Sequence, residues 1–140
     1  MLDYLKKNYF INLIIIIIIF TLDRISKFYV ISKSETNLSS SLITSKFLNI
    51  NLIWNEGIAF GLLSFQQKMY YNILTIVIIS ITLIILWMIT RTKGLEKLGF
   101  LMIFGGSIGN IFDRIYYSAV PDFIDFHINN FHWFIFNVAD

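Results

Sequence analysis

Four aspartates of this chain lie within or beside long apolar stretches. They are Asp23, Asp113, Asp122 and Asp140. A carboxylate at membrane depth is costly to bury, and such residues by default indicate a functional site. Asp122 and Asp140 have no adjacent cation in the sequence. These two are therefore the stronger candidates for chemistry.

Asp23 and Asp113 have cations close by. Asp23 could pair with Arg24 or with Lys27. Asp113 precedes Arg114. For both aspartates we favour a structural ion pair with these neighbours, which would end an apolar span at the membrane interface.

Two carboxylates held close together can perform peptide hydrolysis. They cannot both ionise easily, so the pair shares a proton and supplies an acid and a base near neutral pH. The base takes a proton from water, and the acid protonates the leaving amine. This chemistry suits a chain without cysteine, because disulfides, thiolate metal sites and a cysteine nucleophile are then excluded.

Two serine patterns are weaker candidates. Residues 105–109 read GGSIG, which fits a serine-hydrolase motif that requires a strand–turn–helix context. Here the motif lies in an apolar span, so close helix packing through Gly105 and Gly109 is favoured. Ser26 and Lys27 are adjacent, and adjacent side chains on a helix point about 100° apart, which argues against a serine–lysine dyad.

A histidine pattern is also weak. His127 and His132, with Asp125, could suggest a metal site. Their spacing does not match the H-E-x-x-H pattern of metalloproteases. We favour polar side chains at the membrane interface, and expect no metal and no cofactor.

The composition places these residues in a membrane protein. Hydrophobic residues make up 56% of the 140 residues and charged residues 14%, against about 45–50% and 25% in soluble domains. A net charge of +2 on scattered basic residues indicates no nucleic-acid partner. The first apolar run could be a signal peptide, but no small-x-small cleavage site follows it.

The apolar runs predict one membrane domain, residues 1–140, with three spans long enough for about 30 Å of hydrocarbon. The predicted spans are residues 10–31, 70–90 and 97–112. Between and after them we predict an outer loop at 32–69, an outer segment at 113–136 and the start of a fourth helix at 137–140. Leu48, Ile50, Leu52 and Trp54 alternate with polar residues, which predicts a strand in the outer loop.

Basic residues predict the orientation. Lys6 and Lys7 precede the first span, and Arg91, Lys93 and Lys97 lie between the second and third. The positive-inside rule places both groups in the cytoplasm. The aspartates then collect at the extracytoplasmic face.

Five segments carry a resemblance that covers essentially the whole chain. They are residues 23–27 (DRISK), 55–61 (NEGIAFG), 105–114 (GGSIGNIFDR), 120–123 (VPDF) and 136–140 (FNVAD). Together, and in this order, they resemble the lipoprotein signal peptidase (signal peptidase II) family. The resemblance implies a four-helix aspartic endopeptidase of the bacterial inner membrane. It would cut prolipoproteins before a diacylglyceryl-modified cysteine, acting as a monomer among membrane lipids.

The resemblance also implies roles for individual residues. Asp122 and Asp140 would be the catalytic pair. Residues that would orient the substrate or the pair, or otherwise support the site, are Asp23, Lys27, Asn55, Gly57, Asn110, Asp113, Arg114 and Asn137. The family pattern continues past the last aspartate into a fourth helix, so the 140-residue form is expected to be a fragment with little or no activity.

A non-catalytic function is the alternative. A small transporter subunit or proton relay would also use buried carboxylates. A relay would distribute them through the membrane depth, whereas here they are expected at one face. The spans also lack a polar stripe that would line a path. The endopeptidase is favoured, mainly because of the resemblance.

Overall fold

Three long helices form the membrane part of the protein. A computed structural model describes residues 2–36, 42–57, 68–129 and 131–140. The helices are α1 (Leu2–Thr36), α2 (Lys68–Arg91) and α3 (Gly94–Tyr117). Each is long and apolar enough to cross a membrane, since about 20 apolar residues span the hydrocarbon. The predicted three-span bundle is confirmed. Helix α3 runs on through Asp113 and Arg114 to Tyr117.

A four-stranded antiparallel sheet lies beside the bundle. Its strands are β1 (Ile43–Thr44), β2 (Leu48–Asn55), β3 (Val120–Ile128) and β4 (Phe131–Phe136), in the order β1-β2-β3-β4. Strand β2 matches the strand predicted in the outer loop. No strand was predicted at 113–136, where the structure has β3 and β4, because buried polar residues interrupt the apolar alternation there. Residues 37–41 and 58–67 of the predicted outer loop, which include 58–61 of the NEGIAFG motif, lie outside the described residues.

The connection from α3 to β3 positions the start of the sheet. Ser118 ends the helix in the left-handed region, with φ of 58°. Pro121 follows in β3 opposite Trp54 of β2, whereas pairing with β4 begins only at Ile124. A proline lacks a backbone N–H, so it is tolerated at the start of a strand that has a partner on one side only.

Helix α3 packs against both α1 and α2. Its glycines allow the close approach. A Cβ added to Gly105 would lie 2.9 Å from Ile19 Cβ of α1, and one added to Gly109 would contact the Asp23 carboxylate. The close packing of helices predicted from Gly105 and Gly109 is therefore found in the structure. Many large apolar side chains of the helices are exposed on the outside of the bundle, such as Ile17, Ile76 and Ile84, as expected for surfaces that face lipid.

Candidate active site

A buried cluster of two carboxylates and two cations joins α1 to α3. Asp23 and Asp113 are fully buried and Lys27 is 2% exposed. Lys27 Nζ lies 2.8 Å from Asp23 Oδ1 and 2.7 Å from Asp113 Oδ2. With Arg24, the formal charges of the four side chains cancel. Burial of these charges is tolerable because each has an opposite partner.

Arg24 connects the two aspartates of this cluster. Its Nη1 and Nη2 donate to Asp113 Oδ1 and Oδ2 at 2.6 and 2.7 Å, the two-pronged geometry that favours arginine–carboxylate recognition. Its Nε donates to Asp23 Oδ2 at 3.1 Å. Pairing of Asp23 with Arg24 and Lys27 is as predicted. The predicted pair of Asp113 with Arg114 is wrong, because consecutive helical side chains diverge and Asp113 faces α1.

Arg114 instead faces the loop after β2. Its Nη2 donates to the backbone oxygen of Gly57 at 3.3 Å, and its Nη1 donates to that of Asn110 at 3.2 Å. Gly57 is held in turn by its N–H, which donates to Asn55 Oδ1 at 2.9 Å. Arg114 is 7% exposed, so this contact fixes the loop next to the aspartates.

Asp122 is buried on β3 between two asparagines. Its Oδ2 accepts from Asn55 Nδ2 at 2.8 Å and its Oδ1 accepts from Asn137 Nδ2 at 2.7 Å. The register of β2 and β3 brings Asn55 close, because Val120 and Asn55 are partners two residues from Asp122. Burial raises the pKa of Asp122 above its usual value, the charge of Asp140 adds to this, and the two amide donors oppose it.

Asp140 also contacts Asn137, the residue that binds Asp122. Its Oδ2 accepts from the backbone N–H of Asn137 at 3.1 Å, and its Oδ1 accepts from Asn110 Nδ2 at 2.9 Å. Asn137 Oδ1 also accepts from the N–H of Ala139 at 2.8 Å, which closes the turn. Asn137 therefore holds Asp122 through its side chain and Asp140 through its backbone. Asp122 is buried, whereas Asp140 is exposed.

Asn110 links the ion-pair cluster to this aspartate pair. Its Oδ1 accepts from Lys27 Nζ at 2.7 Å while its Nδ2 donates to Asp140. The lysine contact fixes which end of the amide is oxygen, since an ammonium can only donate. The position of Asp140 thus depends on Lys27 through one side chain.

The structure brings every residue that the family resemblance assigns to the site into one network of contacts. Those residues are Asp23, Lys27, Asn55, Gly57, Asn110, Asp113, Arg114, Asp122, Asn137 and Asp140. The sequence missed Tyr71 of α2, whose buried hydroxyl has no hydrogen-bond partner among the described residues. It also missed the double role of Arg24. The sequence around a tyrosine in an apolar span does not indicate whether its hydroxyl faces lipid or is buried in the bundle.

The serine candidates take no part in the network. Ser107 lies within the uninterrupted helix α3, not at a strand–turn–helix junction. Ser26 Oγ donates to the backbone oxygen of Asp23 at 2.8 Å, whereas Lys27 points to the carboxylates. Neither arrangement activates a serine nucleophile.

Comparison with known sequences identifies the family. The family model described as Signal peptidase (SPase) II matches residues 15–140. The lipoprotein signal peptidase of Pelagibacter ubique (strain HTCC1062) is 46% identical over 134 residues, which are 96% of this chain and 81% of that protein. That of Wigglesworthia glossinidia brevipalpis is 42% identical, covering 91% of this chain and 82% of that protein.

Comparison with solved structures agrees. Two structures titled as a bacterial membrane enzyme, at 2.3 and 1.9 Å resolution, superpose with TM-scores of 0.69 and 0.65. They are 26% and 28% identical, and each match covers 92% of this chain, with 77% and 82% of the other chain. This membrane protein therefore belongs to the signal peptidase II family, the lipoprotein signal peptidases, and is a protease.

Proposed function

We propose that this protease is an aspartic endopeptidase that removes signal peptides from prolipoproteins, with Asp122 and Asp140 as its catalytic pair. The observation that carries the proposal is that Asn137 binds both carboxylates, Asp122 through Nδ2 and Asp140 through the backbone N–H. Two carboxylates from separate parts of the chain are thereby held on one residue, and Asp140 is exposed.

The environments of the two carboxylates suggest different roles. Burial and the neighbouring charge of Asp140 raise the pKa of Asp122, which supports Asp122 as the member of the pair that donates a proton to the leaving amine. Asp140 is exposed and can reach water, so it acts as the base that activates the attacking water. Pairs of groups in contrasting environments divide acid and base roles in this way.

The neighbouring amides position the pair. Asn55 fixes Asp122, Asn110 fixes Asp140, and Arg114 fixes the loop at Gly57. None of these three residues needs to exchange a proton with the substrate. Their effect is orientation, and a misplacement of about 1 Å can cost on the order of 100-fold in rate.

The proposed substrate is a prolipoprotein that arrives from the membrane. Its diacylglyceryl-modified cysteine directly follows the cleaved bond. The proposed site faces the extracytoplasmic side of a bacterial inner membrane. Arg91, Lys93 and Lys97 flank the start of α3, and Asp113 lies near its other end. A helix of 24 residues is about 36 Å long, so the basic loop and the aspartates lie at opposite ends of α3, which supports an extracytoplasmic site under the positive-inside rule.

The catalytic assignment is tested by cleavage of a lipidated prolipoprotein, followed as a gel shift in detergent, with a purified form of the enzyme that carries a complete fourth helix of the family type. Asp122→Asn and Asp140→Asn should each lower the rate by about 10²- to 10⁴-fold, the usual contribution of a general acid or base. Glu35→Gln removes an exposed carboxylate at the end of α1 and should cleave normally. Near-normal cleavage by a folded Asp122→Asn or Asp140→Asn variant would remove that residue from the mechanism.

The substrate class and the orientation are tested separately. A prolipoprotein that lacks the lipid group should not be cut, and efficient cutting would contradict the lipid requirement. Because the chain has no cysteine, single reporters Ser45→Cys and Glu96→Cys can be labelled in intact inner-membrane vesicles with an impermeant maleimide. In right-side-out vesicles Ser45→Cys should react and Glu96→Cys should not. In inverted vesicles the reverse should hold. Labelling of both from one side would refute the topology.

A further inference from the structure

The hairpin of β3 and β4 carries a second cluster, formed by Asp125, His127 and His132. His127 and His132 are direct partners across the two strands. Asp125 is two residues before His127, a spacing that puts side chains on one face of a strand. One ligand atom from each residue can be chosen so that all three lie within 4.8 Å of one another. The fold thus brings together three possible metal ligands whose spacing in the sequence did not match a known metal-binding pattern.

Asp125 and His132 already form a pair. Nδ1 of His132 lies 3.0 and 2.9 Å from the two carboxylate oxygens of Asp125. Asp125 is 3% exposed, whereas the side chain of His132 is 53% exposed. The cluster therefore has a fixed, buried carboxylate and a movable imidazole that solutes can reach.

Two buried polar atoms next to this pair have no hydrogen-bond partner among the described residues. They are Nδ1 of His127 and Oδ1 of Asn49. Asn49 lies beside the cluster, because its Nδ2 donates to Asp125 Oδ2 at 3.3 Å and the two residues are strand partners. A buried polar atom normally has a partner, and each exception calls for an explanation. A cation bound between these groups would give Nδ1 of His127 a partner and so explain this exception.

We propose that Asp125, His127 and His132 form a binding site for one divalent transition-metal ion of the zinc type. Two imidazoles and a carboxylate suit zinc, whereas calcium and magnesium prefer oxygen ligands alone. Zinc lies about 2.0–2.2 Å from such ligands, so neighbouring tetrahedral ligand atoms are about 3.4 Å apart. The exposed His132, whose ring now stacks on His127 at 5.1 Å between ring centres, would rotate on binding to bring the three ligand atoms from within 4.8 Å of one another to that spacing.

The bound ion would clamp β3 to β4. Asp125 and His127 belong to β3 and His132 to β4, and β3 also carries Asp122. The ion therefore has a stabilising role at the sheet and takes no part in the proposed peptide hydrolysis. Because a ligand that binds only the folded state raises its stability, the metal should raise the unfolding temperature.

The test is zinc titration of the full chain in detergent by calorimetry, with an affinity tag that contains no histidine. The chain has two histidines and no cysteine, so imidazole binding is assigned without ambiguity. One ion per chain is expected. His127→Gln and His132→Gln should each weaken binding by at least about 100-fold, and Glu96→Gln, in the first turn of α3, should bind as the parent does.

Two further readouts guard against unfolded variants. Cobalt should give the visible absorption of a tetrahedral site in the parent and not in His132→Gln, in which the original side chain is half exposed and the new amide can still donate to Asp125. Zinc should raise the unfolding temperature of the parent and not of this variant. Absence of saturable one-to-one binding, or unchanged binding when both histidines are replaced, would overturn the proposal.

Discussion

Replacement of Lys27 by methionine tests whether charge balance holds α1 against α3. Lys27 is 2% exposed and contacts Asp23, Asp113 and Asn110 within 2.8 Å. Methionine fills similar space but has no charge. The cluster would then hold two carboxylates and one guanidinium, a buried net charge of −1. Removing one partner of a buried ion pair costs about 3–5 kcal/mol.

Part of this cost should be recovered when the charge balance is restored. In the double variant Lys27→Met with Asp23→Asn, Arg24 and Asp113 remain as one neutral pair. Asp23→Asn alone leaves a net charge of +1 and should also destabilise. The double variant should therefore be more stable than the two single losses predict, with a coupling energy of about 0.5–3 kcal/mol.

Thermal unfolding in detergent, followed by tryptophan fluorescence, measures these differences. At about 2–4 °C per kcal/mol for a chain of this size, Lys27→Met should unfold roughly 10 °C below the parent. The cleavage rate should fall further than the folded fraction does, since Asn110 loses the contact that orients it toward Asp140. Strict additivity of the two single variants would refute the reasoning, because charge balance would then not be what stabilises the cluster.

Three further outcomes are expected. Because burial raises the pKa of Asp122 above 3.8, the proton it retains stabilises the fold fully below that value, and this stability is lost as the pH rises through the folded-state pKa. Asp122→Asn should thus gain stability relative to the parent as the pH rises from about 3.8 through the folded-state pKa, and a difference in unfolding temperature that does not change with pH would contradict this. Gly109→Ala should cost about 1–3 kcal/mol, because its Cβ would contact the Asp23 carboxylate. Gly99→Ala, with nothing within 4 Å, should be neutral or stabilise by up to about 1 kcal/mol, and equal unfolding temperatures for the two would rule out the steric account. Tyr71→Phe removes a buried hydroxyl without a described partner and should not lower the unfolding temperature, whereas a loss above about 1 kcal/mol would reveal a partner outside the described residues.

The sequence alone determined the features that depend on local pattern. Run length and hydropathy predicted three spans, because a helix must satisfy its own backbone across a fixed hydrocarbon thickness. The alternation of Leu48 to Trp54 predicted β2. The aspartates stood out because charge in an apolar stretch is costly, and ordered motifs indicated the family.

The sequence did not predict the hairpin of β3 and β4. Strand β3 carries Asp122 and Asp125, which are buried through bonds to Asn55, Asn137 and His132. Polar residues at core positions break the apolar alternation from which strands are recognised. Such a strand is stable only because its partners satisfy it, and those partners come from elsewhere in the chain.

Only the tertiary structure decided which charges meet. Asp113 has Arg114 beside it in sequence, yet its carboxylate binds Arg24 and Lys27, more than 80 residues away. The choice follows from the face that α3 presents to α1, which Gly105 and Gly109 allow to come close. The meeting of Asp122 with Asp140 through Asn137, and of Asp125 with two histidines, likewise depends on strand register and a chain turn. Local residue spacing sets which side chains share a face, but packing between elements sets which faces touch.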